Sequence, residues 1–290
     1  MKSHPKRVKQ SVEKSRIPLC YDGERIHKVL AHAGLGSRRQ IEQWIKDGRV
    51  NVNGKPAHVG DRLACDDVLQ LDGRVVNIAK RIDVPTRVLI YYKPSGEVVA
   101  RRDLQGRPVI FTQLPKLKVG RWIAVGRLDI NTQGLLLVTT NGELANRLMH
   151  PSHEVDREYA VRVLGKVDDV VMGRLQRGVE LVEDGPARFE TLEEAGGQGA
   201  NRWFHVTVKE GRHRLVRRLW QSQGVMVSRL IRIRYGPVTL PPKLKARTFH
   251  ELDRTELTGL MAAVGMKVEE PKQPKPSGQP KTRSKPRRKR

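Results

Sequence analysis

The sequence predicts an α+β protein of two folded units, a small helical and hairpin unit first and a larger strand-rich unit after it. Apolar residues between Glu24 and Gly48 recur at helical spacing, whereas from Arg87 onward short β-branched runs predominate, interrupted by single helical patterns. The 290 residues suffice for two cores. Polar connections set the expected boundaries: a basic extension at 1–22, a first unit at 23–80, a linker at 81–86, a second unit at 87–265 and a basic tail at 266–290.

Lys and Arg number 56 against 31 Asp and Glu, a formal charge of +25. An excess of this size points to a polyanionic partner, because each phosphate neutralised by a cation releases counterions. No apolar run approaches the length of a bilayer span, and the basic N-terminus has no apolar segment of the secretory kind, so a soluble, cytoplasmic protein is expected. Cys20 and Cys65 stand far apart without metal-ligand spacing and are expected to be free thiols in a reducing compartment.

In the first unit, Ile26, Val29, Leu30 and Ala33 make one helical stripe that ends at Gly34. Ser37 with Gln40 three residues later reads as a capping box, and Ile41, Trp44 and Ile45 form the buried face of the helix that follows. An Asn53-Gly54 turn between Val50–Val52 and Pro56–Val59 predicts a small hairpin. Arg38 and Arg39 face outward at a helix N-terminus, where backbone amides also favour a phosphate. In the second unit, strands are expected over 87–92, 121–125, 135–140, 156–163, 188–192, 203–208 and 228–235. Helices are expected over 143–150, 168–177 and from Glu210 to Trp220, the last with Leu215, Val216, Leu219 and Trp220 inward and Arg217 and Arg218 on its borders. Strand 228–235 alternates apolar and cationic positions, and the Gly-rich stretch 194–201 reads as a loop without the helix a dinucleotide fingerprint needs. His150 and His153 are three apart, but Pro151 breaks the helix that metal ligation at this spacing requires. From Pro271 on, five prolines and nine cations with no acid read as an unfolded electrostatic arm.

The segment Gly126-Arg127-Leu128-Asp129-Ile130-Asn131-Thr132-Gln133-Gly134 is a polar loop with one carboxylate that runs straight into the apolar strand Leu135–Thr140. On its residues alone, Asp129 either caps a turn or presents a carboxylate at the mouth of a sheet.

The full string Gly-Arg-Leu-Asp, with Thr132 and Gly134-Leu135-Leu136-Leu137 after it, resembles the signature loop of the pseudouridine synthases, in the branch that includes RsuA. Further motifs follow in that family's order: Arg157-Glu158-Tyr159, Gly211-Arg212 with Arg217 five residues on, and the basic strand ending Arg234-Tyr235-Gly236. Residues 23–80 resemble an S4 domain, a small RNA-binding module. The resemblance implies a catalytic domain with a mixed, largely antiparallel sheet flanked by helices behind an N-terminal S4 domain. It implies Asp129 as the catalytic carboxylate, Arg217 as its ion-pair partner and Tyr159 stacked on the target base. Arg127 and Leu230 would belong to the substrate pocket, and Arg38, Arg39, Arg212 and Arg218 would hold RNA. The stretch Asn141–Pro151 and the tail are most similar to family members that act on the large subunit, so the expected partner is 23S rRNA or a large-subunit assembly intermediate, met by a monomer. A small-subunit enzyme and a non-catalytic ribosome-assembly factor are the alternatives. No cofactor and no metal is expected: the N-glycosidic bond breaks, the uracil turns in place, and C5 bonds the same sugar carbon. An ordinary glycosidase needs two carboxylates because it must bring in water. Here one carboxylate, favoured in its ionised form by a guanidinium, suffices.

Overall fold

The computed structural model describes residues 21–78, 81, 85–182, 184–199 and 201–267. The expectations for Cys20, for residues 1–20 and for the tail from 268 lie outside these, as do residues 82–84 of the linker.

The first unit packs α1 (Ile26–His32) and α2 (Arg38–Lys46) on a four-stranded antiparallel sheet in the order β2 (Lys55–Pro56), β1 (Val50–Val52), β3 (Leu69–Leu71), β4 (Arg74–Val75). The apolar stripe read from the sequence closes the core, with Ile26, Val29, Leu30, Ile41 and Ile45 all buried. Ser37 Oγ accepts the Gln40 N–H at 3.1 Å, so the Ser37 half of the expected box is present. Such a cap contributes about 1 kcal/mol. The hairpin is there, but β3 pairs with the other edge of β1 and completes a sheet that local patterning does not disclose. The α1–α2 turn lies against the second unit: a Cβ on Gly34, at φ +76°, would stand 2.7 Å from Gly120 Cα.

The second unit is built on a nine-stranded sheet. Its main path runs β11 (Thr191–Gln198), β12 (Asn201–Val208), β8 (Arg157–Leu164), β13 (Met226–Tyr235), β7 (Gln133–Thr139), β5 (Val88–Lys93), β15 (Phe249–Glu251). Short β6 (Ile123–Ala124) pairs with β7, and β14 (Val238–Thr239) pairs with β13. All pairings in it are antiparallel except β7 with β13, which meet in parallel at Gln133–Ile231 and Gly134–Arg232. The sheet is thus mixed and largely antiparallel.

Strand β7 is apolar at successive positions because both of its faces are covered. Leu135 and Leu137 pack under α3 (Gly142–Met149) and α6 (Arg254–Ala262), while Leu136 and Val138 meet Trp122, Leu128 and Ile110. Strand β5 divides in the same way, Val88 and Ile90 to one side and Leu89 and Tyr91 to the other. A third core lies under α4 (Asp169–Arg177) and α5 (Leu215–Gln221), centred on Trp220, whose ring is 5.0 Å from Phe204 and 5.8 Å from Phe189.

Three local expectations are corrected. Residues 188–190 are not strand, and β11 instead runs through the Gly-rich stretch expected to be a loop. A bulge between Glu194 and Gly196, with Gly196 at φ +103° and Gly197 at +109°, lets the strand bend while it pairs with β12. The hairpin β9 (Val179–Leu181) and β10 (Gly185–Ala187) was not anticipated. The helix expected from Glu210 begins only at Leu215, because Arg214 just before it is left-handed, at φ +52°.

Candidate active site

The tips of β7, β8 and β13 and the segment before α5 surround a cleft of about 920 Å³, within the range of small-ligand sites. Asp129, Tyr159, Leu230 and Arg127 all line it. Three motifs far apart in sequence therefore converge on one space.

Asp129 sits in a tight turn closed by the Thr132 N–H to the Asp129 carbonyl at 3.0 Å, and its side chain stays partly exposed. The turn is held from beneath by Lys93, the last residue of β5, which is fully buried. Its ammonium donates to the carbonyls of Thr132 at 2.9 Å, Asp129 at 3.0 Å and Pro94 at 3.0 Å, with Ile130 at 3.4 Å. Burial pushes the Lys93 pKa down to about 8, against the opposing pull of Glu97 and Asp129. Glu97, itself buried, accepts from Tyr91 Oη at 2.7 Å and from Arg247 Nε at 3.1 Å. Burial and this hydrogen bond raise the Tyr91 hydroxyl well above its ordinary value, so it stays a donor. Gly96 N–H to the Ile130 carbonyl at 2.8 Å completes the attachment. After the turn, Gly134 takes φ +98°, and any Cβ there would fall onto the Arg232 carbonyl. Close passage of β13 demands glycine at this point.

Arg217 differs from its expected place. Its guanidinium donates to the carbonyls of Val227 and Asn131, each at 3.0 Å, and makes no direct pair with Asp129. Burial lowers its pKa, as does the charge of Arg214, while Asp129 opposes both. The cation nearest the carboxylate is Arg214, with Nη1 3.9 Å from Asp129 Oδ2. Arg217 instead ties the start of β13 to the Asp129 loop. The sequence could place the helix that carries these arginines, but not which of them a left-handed N-cap would turn toward the loop.

Arg212 and Arg218 both have partners within the protein. Arg212 spends its donors on Glu210, at 2.5 Å from both Nε and Nη2, and on the carbonyls of Asp184 and Pro186. Arg218 pairs with the Asp184 carboxylate. Both tie the β9–β10 hairpin to the region of α5, a tertiary partner invisible in the sequence. Arg38 and Arg39 are exposed at the start of α2, as expected.

Sequence reasoning missed Lys93, Arg214, Arg157 and Arg232. Arg157 donates to the carbonyls of Val155 and Lys209, and Arg232 Nε donates to the Leu135 carbonyl at 2.8 Å. Both are buried and line the cleft floor. In the sequence Arg232 is one of the cations that alternate with apolar residues along its strand. Leu230 and Arg232 are two residues apart on β13, so strand alternation puts Arg232 on the same buried face as Leu230. For Lys93 a signal existed: a lysine directly after the apolar run Val88–Tyr92.

Comparison with known proteins agrees with this architecture. Residues 24–69 match the S4 domain, and residues 87–222 match the RNA pseudouridylate synthase family. The fold and cleft are thus those of an RNA pseudouridine synthase with an S4 domain in front. The chain is 54% identical over 248 residues to the ribosomal large subunit pseudouridine synthase B of Escherichia coli, covering 85% of each chain. With the synthase B of Pasteurella multocida it shares 52% over 275 residues, 92% of this chain and 79% of that one. With that of Pseudomonas aeruginosa it shares 54% over 256 residues, 88% of this chain and 65% of the relative's length. The chain belongs to the rRNA pseudouridine synthase family, within the group that holds these large-subunit enzymes. A solved pseudouridylate synthase at 24% identity shares the fold, with a TM-score of 0.58 over 81% of this chain and 99% of that one. Among the described residues no helix is long and apolar enough to cross a membrane.

Proposed function

We propose that this protein isomerises one specific uridine of the large-subunit 23S rRNA to pseudouridine, with Asp129 as the essential carboxylate. The observation that carries the reading is the cleft's supply of carboxylates. Glu210, the other acid of the lining, is committed to Arg212, which leaves Asp129 as the one acid available to a substrate.

The target uridine must leave its stack to reach this depth. Tyr159 stacks on the extruded uracil, and Leu230 packs against it from β13. Asp129, beside Arg214, acts at the sugar as the N1–C1′ bond breaks. Attack on C1′ and removal of the C2′ proton are both served by the same placement. The uracil then turns so that C5 bonds C1′, the C5 proton leaves, and N1 takes up a proton. No water enters the product, consistent with a single working carboxylate. The large subunit is favoured over the small one by the synthase B relatives above.

The test uses large-subunit rRNA transcript labelled with tritium at uracil C5, with wild type and Asp129→Asn side by side. Wild type should release tritium to water, while Asp129→Asn binds RNA equally and releases none. Release by Asp129→Asn would remove that residue from the role. Release from neither protein, on naked RNA or assembling subunits, would favour a binding factor.

A further inference from the structure

Arg121 has no role in the chemistry above, yet it is a poorly compensated cation close to the cleft. Its Nε is buried and has no hydrogen-bond partner among the described residues. Burial lowers its pKa first, and the charges acting on it, Arg101 and Arg38, lower it further; no acid opposes them. Arg38 comes from the S4 unit, at the N-terminus of α2, and reaches this neighbourhood because Gly34 packs against Gly120. Arg101 lies on the cleft side, its guanidinium 4.6 Å from the Phe111 ring centre and its Nη2 on the Trp122 carbonyl at 2.5 Å. Arg101 and Phe111 both line the Asp129 cleft.

Arg121 therefore lies within electrostatic reach of both Arg38 from the S4 turn and Arg101, which lines the cleft. Partly buried cations without a counter-charge are costly. The cost is offset when an anion with several acceptor oxygens occupies the gap, and guanidinium groups match phosphate in just this way. We propose that Arg38, Arg121 and Arg101 form one phosphate-binding subsite at the seam between the S4 and catalytic units, gripping the backbone of the RNA strand that leads into the Asp129 cleft. The inference rests on RNA being the substrate, as proposed above. It assigns the S4 unit a place on the same strand as the target uridine, and makes the seam itself part of the binding surface.

The test is a salt series of binding to large-subunit rRNA transcript with wild type, Arg121→Gln, Arg121→Lys, Arg38→Gln and the double variant Arg38→Gln/Arg121→Gln. Arg121→Gln should weaken binding about tenfold and reduce the slope of log K against log salt by roughly 0.7–0.9, one phosphate's worth. Arg121→Lys should recover most of the slope. The double variant should lose less than the product of the single losses, since both residues grip one group. The thermal midpoint of Arg121→Gln should hold or rise, because a repelled cation has been removed. An unchanged slope overturns the proposal, and so does a fallen midpoint with normal binding, which would mark Arg121 as a packing residue. Inorganic phosphate that protects wild type but not Arg121→Gln from melting, with the RNA slope untouched, would identify a free-anion site and also overturn it. If Arg121 sets the slope while wild type releases no tritium, the subsite stands and the isomerase reading falls. Tritium release with an unchanged slope means the reverse.

Discussion

Replacing Lys93 with methionine keeps the length and apolar stem of the side chain and removes only the ammonium. Two opposing magnitudes follow from its setting. A pKa drawn from 10.5 to about 8 by burial means that holding the charge there costs on the order of 3 kcal/mol. Methionine relieves that cost. It also strands the carbonyls of Asp129 and Thr132, both at 3.0 Å or less from the ammonium, and weakens the hold on Pro94 and Ile130. Each stranded buried carbonyl costs about 1–3 kcal/mol. The net loss of stability should be on the order of 2 kcal/mol, a midpoint shift of roughly 4–8 °C for a domain of this size. Turnover should suffer far more, since Asp129 is placed by the very carbonyls that are released. A displacement of about 1 Å costs roughly 100-fold. The assay is tritium release at saturating RNA, at a temperature where circular dichroism shows both proteins fully folded. Turnover within threefold of wild type under those conditions would refute the claim that the ammonium positions the loop.

The same group predicts a pH effect whose sign separates stability from activity. Between about 8 and 10.5 the unfolded chain binds Lys93's proton more than the folded one does, so its contribution to stability rises with pH through that window. Turnover should nevertheless fall above about 8 as the clamp loses its charge, and denaturant melts beside rate profiles at the same pH values test the divergence. Gly134→Ala should destabilise by about 3–5 kcal/mol through overlap with Arg232 and the φ of +98°, read as a lowered urea midpoint. Arg217→Lys cannot span the Val227 and Asn131 carbonyls as a planar fork does, so kcat should fall roughly 10- to 100-fold with little change in RNA affinity. A rise in KM alone would place Arg217 in binding instead. Tyr159→Phe should retain RNA affinity, because the stacking face survives, whereas Tyr159→Ala should lose about 1–3 kcal/mol of it in a filter-binding titration.

Much of the fold was legible because its signals are local. Strand β7 announced itself as a buried apolar run, and α5 as a stripe of Leu215, Val216, Leu219 and Trp220, all of them buried. The motifs holding Asp129, Tyr159 and Leu230 could be named in order, and they do share one cleft. What misled was also local. The glycines of 194–201 look like a loop, yet backbone pairing with β12 makes them strand, since glycine serves a bulge as readily as a turn.

The sequence by itself determined the two-unit division, the cationic surface, the carboxylate loop and the chemical identity of the residues around it. Tertiary structure alone decided which arginine does what. Arg212, Arg214, Arg217 and Arg218 crowd one heptad-length segment with nothing in composition to tell them apart. Asp184 claims Arg218, Glu210 and two carbonyls claim Arg212, the Val227 and Asn131 carbonyls claim Arg217, and the left-handed turn at Arg214 delivers that side chain to Asp129. A guanidinium's role is set by the acceptors within reach of it, and most of those acceptors, Asp184, Pro186, Asn131 and Asp129, lie tens of residues away in the chain.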